Sequence, residues 1–228
     1  MTQVRNVLDH GVCRLVNCMG SDLDIVRSAR VSYDAEWRSG EDEGKDAKLI
    51  HYLMKNRHTT PFECVNFTFD IKAPIFVFRQ WHRHRTWSYN EVSARYAELP
   101  EEYYIPSVTQ IGTQSKSNKQ MREFSQAAGI THEDIAFIYE LQQHSQAGFA
   151  LYKRHIAAGV PRELARLFLG FNTYSHMFAT VDLHNLFHFL RLRLHSHAQY
   201  EIRVYAEAML SLIKPVVPVA VAAFEETL

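Results

Sequence analysis

Of the 228 residues, 46% are hydrophobic and 22% charged, which excludes intrinsic disorder and allows a full core to be buried as a single domain over 1–228. Lysine plus arginine and aspartate plus glutamate balance at 25 each, so any basic cluster is local and a broad nucleic-acid surface is excluded. There is no run of about eighteen apolar residues, the start Met-Thr-Gln-Val-Arg-Asn lacks the apolar stretch of a signal peptide, and Cys13, Cys18 and Cys64 form no CxxC pair, so a reducing, cytoplasmic location is expected.

The first clear helical pattern is Ala47 to Lys55, with Leu49, Ile50, Leu53 and Met54 on one side. Thr60-Pro61-Phe62-Glu63 follows in the form of a capping box with proline at the first helical position, a start that offers free N–H groups to an anion. Val65, Phe67, Phe69 and Ile71 alternate with Asn66, Thr68, Asp70 and Lys72, which predicts a half-buried strand of an antiparallel sheet ending at Pro74. Ile75, Phe78 and Trp81 then mark a helix, and Ser88 to Ser93 fail helical periodicity and read as a polar loop. Residues 107–130, rich in Ser, Gln, Thr and Lys, read as a surface excursion.

Beyond the excursion, Thr131 and Asp134 cap a long helix that Gly159 stops before Pro161. A shorter helix from Pro161 to Gly170 bears Arg162 and Arg166, and Thr173 to Val181 alternates as a strand. Asp182 caps the next helix, and a box formed by Ser196 and Gln199 starts the last one, running to Pro215. The class is α+β, an antiparallel sheet packed with several long helices.

Chemistry concentrates between Arg79 and Tyr96. Arg79, Arg83, Arg85 and Arg95 fall within this one segment, interleaved with His82, His84, Ser88, Glu91 and Ser93. Arginine forks bind phosphate and carboxylate in a bidentate way, so this density points to a ligand with several anionic groups, such as a nucleotide. A solvated helix face is the plainer reading of a charged run, but these residues extend past the helix into the loop it carries. On a wheel of about 100° per residue, His184, His188, Arg191 and, if the helix persists, His195 form one stripe, with Leu183, Leu186, Phe187, Leu190 and Leu194 toward the core. Arg193 points away from that stripe. Two histidines four residues apart could hold a metal, but the glutamate used by zinc proteases between them is missing, so no metal is assigned.

Arg83-His84-Arg85, then seven residues, then Ser93 resembles the signature of the flavin-dependent thymidylate synthases. The stretches Val26-Arg-Ser-Ala-Arg30-Val-Ser32-Tyr33, His58-Thr-Thr60-Pro61-Phe62-Glu63, Lys72-Ala-Pro74, Gly159-Val-Pro161-Arg162-Glu163 and Arg193-Leu-His-Ser196-His197-Ala198-Gln199 continue the likeness in the family's order. The resemblance implies that family's fold and the reductive methylation of dUMP to dTMP, with 5,10-methylenetetrahydrofolate as methylene donor and FAD, reduced by NADPH, as hydride source. It also implies a homotetramer whose active sites lie between subunits. The dUMP contacts it implies are Gln80, Trp81, His82, Arg83, Glu91, Val92, Ser93, Ala94, Arg95, Arg166 and Arg193, with Arg193 catalytic. The FAD contacts it implies are Thr60, Glu63, Arg83, His84, Arg85, Glu91, Asp182, His184 and His188. The chain departs from the commoner family pattern of Asn-x-Arg followed by asparagine, since it carries Asp182-Leu-His184 and then His188. None of the three cysteines lies in the arginine-serine segment, so cysteine addition to the uracil ring is not expected. Two other readings of the same residues are a nucleotide-binding module built on the arginine segment and a metal-dependent hydrolase using the His184/His188 stripe.

Overall fold

The computed structural model describes residues 4–123 and 129–228. A hairpin opens the chain, β1 (Val4–Val7) paired antiparallel with β2 (Gly11–Met19). Gly11 sits where Tyr205 packs against the hairpin: a Cβ there would lie 2.1 Å from the Tyr205 hydroxyl, which donates to the Lys72 carbonyl at 2.6 Å. Only glycine leaves room for that contact.

Helices α1 (Asp22–Val31) and α2 (Glu43–Lys55) follow, the latter extending the expected pattern N-terminally to a cap at Asp42, which accepts from the Lys45 N–H at 3.0 Å. Strand β3 (Asn66–Pro74) is the sheet's centre, paired antiparallel with β2 on one side and β7 (Tyr174–Asp182) on the other. Register places Phe67 opposite Val181, Phe69 opposite Ala179 and Ile71 opposite Met177, so these positions make one face of both strands apolar and buried, with Ser175 at its end. Helices α6 (Leu183–Arg193) and α7 (Tyr200–Ile213) cover that face with Leu186, Phe189, Leu190, Ile202, Tyr205 and Met209. The opposite face is polar: Asp70 takes Arg14 from β2 and His176 from β7, while Lys72 pairs with Glu102 at 2.6 Å.

Short α3 (Ile75–Trp81) leaves β3 directly, with Pro74 as its N-cap residue. The stretch after it, expected as a loop, is an edge strand, β4 (Ser88–Glu91), paired with β7 through Thr180, Ala179, Phe178 and Met177. An edge strand need not alternate cleanly, which is why its polar sequence hid it. The sheet order is β1-β2-β3-β7-β4.

Other expectations need correction. Thr60–Cys64 is a 3₁₀ turn whose flanking Thr59 makes no capping bond, so the capping-box form is not realised. Of the excursion at 107–130, the described part carries a small ribbon, β5 (Thr113–Gln114) with β6 (Arg122–Glu123), and residues 124–128 of it lie outside the described ones. Helix α4 (His132–Ala157) has the expected box between Thr131 and Asp134, and Gly159 at φ +85° terminates it. The helix expected over 161–170 is shorter, α5 (Arg162–Ala165) tightening into a 3₁₀ turn at Arg166–Phe168. Helix α7 starts after Gln199 rather than Ser196, because the Gln199 side chain is drawn to Gln80 instead of back onto its own helix. A final helix, α8 (Pro218–Glu225), has no counterpart among the expected elements; its Val221 and Phe224 close the core beside Phe187, whose ring stacks on Phe224 at 4.4 Å.

Candidate active site

The segment after α3 is pinned from below. Trp81 is fully buried and stacks on Phe189 of α6 at 4.9 Å, with Trp87 edge-on at 5.9 Å. The Tyr89 hydroxyl donates to the carbonyls of Trp81 at 3.1 Å and His84 at 2.8 Å, fixing the turn between α3 and β4. With Trp81 and Trp87 inside, Arg83 and Arg85 are driven outward. Both are exposed, and among the described residues neither has a side-chain hydrogen bond or ion pair. The Trp81 ring is part of the core and offers no surface to a ligand, and its packing fixes the turn that carries the arginines.

His84 is the exception in that turn, buried and pointing at α6. Its ring packs edge-on against Phe189 at 4.9 Å and lies 6.2 Å from the ring of His188. Arg193 donates from Nε to His84 Nε2 at 3.1 Å and approaches the Gln80 carbonyl at 3.5 Å. To accept there, the imidazole must be neutral and carry its proton on Nδ1. Burial first, then the charges of Arg193 and His188, pushes His84 down to about 4, and burial likewise lowers Arg193 below its ordinary value. The helical wheel sets His188 and Arg193 nearly opposite each other; the structure brings both to His84, because the long arginine side chain at the helix end folds back across the turn. Helix α6 ends at Arg193, so His195 falls outside the stripe and packs instead against His197 at 4.6 Å.

On the other side of His188 lies a cleft of about 500 Å³ between the end of α2, the 60–64 turn and α6. Leu53, Phe62 and Phe187 give it an apolar floor, while Lys55, Arg57, Thr59, His184, His188 and Arg191 supply a polar rim. Thr60 and Glu63 belong to the turn that forms one wall. Asp182 does not face this cleft as a free acceptor. Its Oδ1 accepts the Asn185 N–H at 2.9 Å and its Oδ2 the Asn185 amide at 2.6 Å, so it acts as the cap of α6.

A second cluster forms around β4 and α5. Glu91 accepts from Ser175 Oγ at 2.6 Å and lies 3.9 Å from His82, whose ring packs edge-on against Tyr89 at 4.8 Å. Val92 continues the sheet through its N–H to the His176 carbonyl at 2.8 Å, Ser93 Oγ accepts the Arg95 N–H at 3.3 Å, and Ala94 is buried. Arg95 pairs with Glu163 at 3.1 Å, and Arg166 donates to the Glu163 carbonyl at 3.3 Å, so residues far apart in sequence meet on Glu163. Ser175, Glu163, Tyr89 and Gln199 are not among the site residues expected from the sequence, although Glu163 and Gln199 lie in stretches that carry the resemblance. A serine on a predicted strand, a glutamate between two arginines and a glutamine explained as a helix cap give no signal of their own.

Cys13 is buried with its thiol pushed up by desolvation, which makes it a poor nucleophile, and among the described residues no three His, Cys, Asp or Glu side chains gather as a metal site. Ser93 has no imidazole on its hydroxyl among the described residues, so it is placed as a hydrogen-bonding group.

A family profile described as thymidylate synthase complementing protein matches residues 14–219. A flavin-dependent thymidylate synthase of Ehrlichia ruminantium (strain Gardel) is 48% identical over 221 residues, covering 96% of this chain and 72% of the relative. One from Thermus thermophilus is 49% identical over 222 residues, covering 97% of this chain and 78% of the relative. Among solved structures, a UMP/dUMP methylase, PolB from Streptomyces cacaoi bound with 5-Br dUMP, superposes with a TM-score of 0.85 at 35% identity over 97% of each chain.

Proposed function

The chain belongs to the flavin-dependent thymidylate synthase family, and from that premise we propose that it converts dUMP to dTMP with 5,10-methylenetetrahydrofolate as methylene donor and NADPH as reductant. The observation that carries this reading is the junction at His84, where the arginine-rich turn, His188 beside the cleft, and Arg193 all converge. The cleft suits a flavin dinucleotide: its apolar floor accepts flat rings, and its basic and imidazole rim suits an anionic chain. Bound there, the cofactor supplies the hydride that a thiol-free route to the methyl group requires.

The protein's own groups then have distinct tasks. Thr60, Glu63, His184 and His188 hold the flavin, with Arg83 and Arg85, unpaired within the described residues, reaching anionic oxygens. Gln80, Ser93, Arg95 and Arg166 hold the nucleotide, and Glu91, kept in place by Ser175, borders both. Arg193 faces the pyrimidine and stabilises charge developing at N3 and O4, while neutral His84 fixes the direction of its fork.

Exposed Arg83 and Arg85 are not closed over by anything among the described residues, and beside Arg166 the apolar Leu167 and Phe171 are 76% and 75% exposed. Such a patch next to a binding cluster supports a homotetramer in which neighbouring subunits complete each site. The test is a visible spectrum of the purified protein after incubation with FAD and gel filtration, combined with its mass in solution. Retained bands at roughly 375 and 450 nm in a species of four subunits support the reading, since oxidised flavin absorbs there. A colourless protein that binds dUMP alone would leave only a nucleotide-binding module.

A further inference from the structure

Helix α2 ends in a Schellman turn: the Arg57 N–H bonds to the Met54 carbonyl at 3.2 Å and the His58 N–H to the Leu53 carbonyl at 2.9 Å. The residue after the cap in such a turn is left-handed and normally glycine. Here it is Arg57, with φ +57°. A side chain in that region is strained, and persistent strain of this kind collects where the side chain has a task. The favourable effect of a cation at a helix C-terminus is small for an exposed group and Lys55 already supplies one, so helix stability does not account for the choice.

Three further facts give Arg57 a direction. It lines the cleft that also carries His184, His188 and Phe62. Among the described residues its guanidinium has neither hydrogen bond nor ion pair. The other arginine of the cleft is not similarly free: Arg191 donates to the Thr227 carbonyl at 2.8 Å and to the Thr227 hydroxyl at 2.7 Å. The cleft is therefore lined by one strained guanidinium, unengaged among the described residues, and by two imidazoles, a donor set suited to a diphosphate.

We propose that Arg57 grips the diphosphate of FAD in this cleft. The inference rests on the reading of the chain as an FAD enzyme and adds a residue that none of the signature motifs contains. Its test is FAD titration of the apo protein by flavin fluorescence, with thermal melts of the same proteins in the absence of FAD, for wild type, Arg57→Gly, Arg57→Lys and Arg57→Asn. Glycine relieves the backbone strain, so Arg57→Gly keeps or raises the melting temperature while its FAD affinity falls by roughly tenfold or more, the size of one charge-assisted contact. Arg57→Lys, which keeps the charge, retains most of the affinity. If wild type binds FAD and Arg57→Gly binds it equally tightly, the inference is overturned. If wild type itself fails to bind FAD, it is the enzyme reading that falls. Should Arg57→Gly lose both melting temperature and affinity, Arg57→Asn, whose short side chain tolerates the left-handed region, decides: wild-type affinity in a stable Asn variant overturns the assignment, and weak binding upholds it.

Discussion

His84 has to stay neutral to accept from Arg193, and its surroundings enforce that. Its protonation is held at about 4 in the folded protein against an ordinary 6.5, so between those values the unfolded chain takes up a proton that the folded one refuses. Stability from this group is present above pH 6.5 and is lost as pH falls toward 4. Melting temperatures measured across that range should fall less steeply for His84→Asn than for wild type, because the amide has nothing to titrate. Equal slopes would mean that His84 takes up its proton alike in the folded and unfolded chains, so that burial beside Arg193 does not hold it neutral. Arg83 and Arg95 lie at the other extreme of burial. The Arg95–Glu163 pair is 57% and 51% exposed, so its contribution to folding is about 0–1 kcal/mol. Replacing Arg83 or Arg95 by alanine should leave the melting temperature nearly unchanged while weakening dUMP or FAD binding by about 1.5–3 kcal/mol, the range for hydrogen bonds to charged groups. Unaltered calorimetric affinity for both ligands in either variant would remove that arginine from the site.

At the level of elements, α6 is capped by Asp182 at its start, lines the cleft with His184 and His188, and ends at Arg193, which bonds to His84. Asp182→Ala should lower stability by about 1 kcal/mol, the usual cost of a lost cap, and Asp182→Ser should restore most of it. Flavin affinity should be unchanged in both variants, and a loss in the serine variant would return Asp182 to the ligand contacts. Elements with strong periodicity or caps are legible in the sequence: β3 by its alternation, α4 by its Thr131–Asp134 box, β7 and α6 by Asp182 between them. The hairpin of β1 and β2, edge strand β4 and helix α8 are not. Each depends on a distant partner: β4 on the free edge of β7, and α8 on the apolar sides of α2 and Phe187. The arginine-rich segment can be read as anion-binding from its composition, whereas the junction of His84 with Arg193 cannot, since 109 residues separate them and it is the packing of Trp81, Trp87 and His84 on Phe189 that brings them together.

Across the whole molecule, one face of the sheet is sealed by helices and the chemistry collects at the edge where α3, β4 and α6 meet. Tyr96, next to Arg95 in the chain, and Phe171 are 81% and 75% exposed. Cys13 is buried and a poor nucleophile, and none of the three cysteines lies in the arginine-serine segment, which fits membership of a flavin-dependent family. The most direct measurement is dTMP formation by the purified protein from dUMP, methylenetetrahydrofolate and NADPH, with and without added FAD. The account predicts turnover that requires both FAD and NADPH and that collapses in Arg193→Ala without loss of folding. Production of dTMP at an undiminished rate by flavin-free protein, or none by fully flavin-loaded wild type, would contradict it.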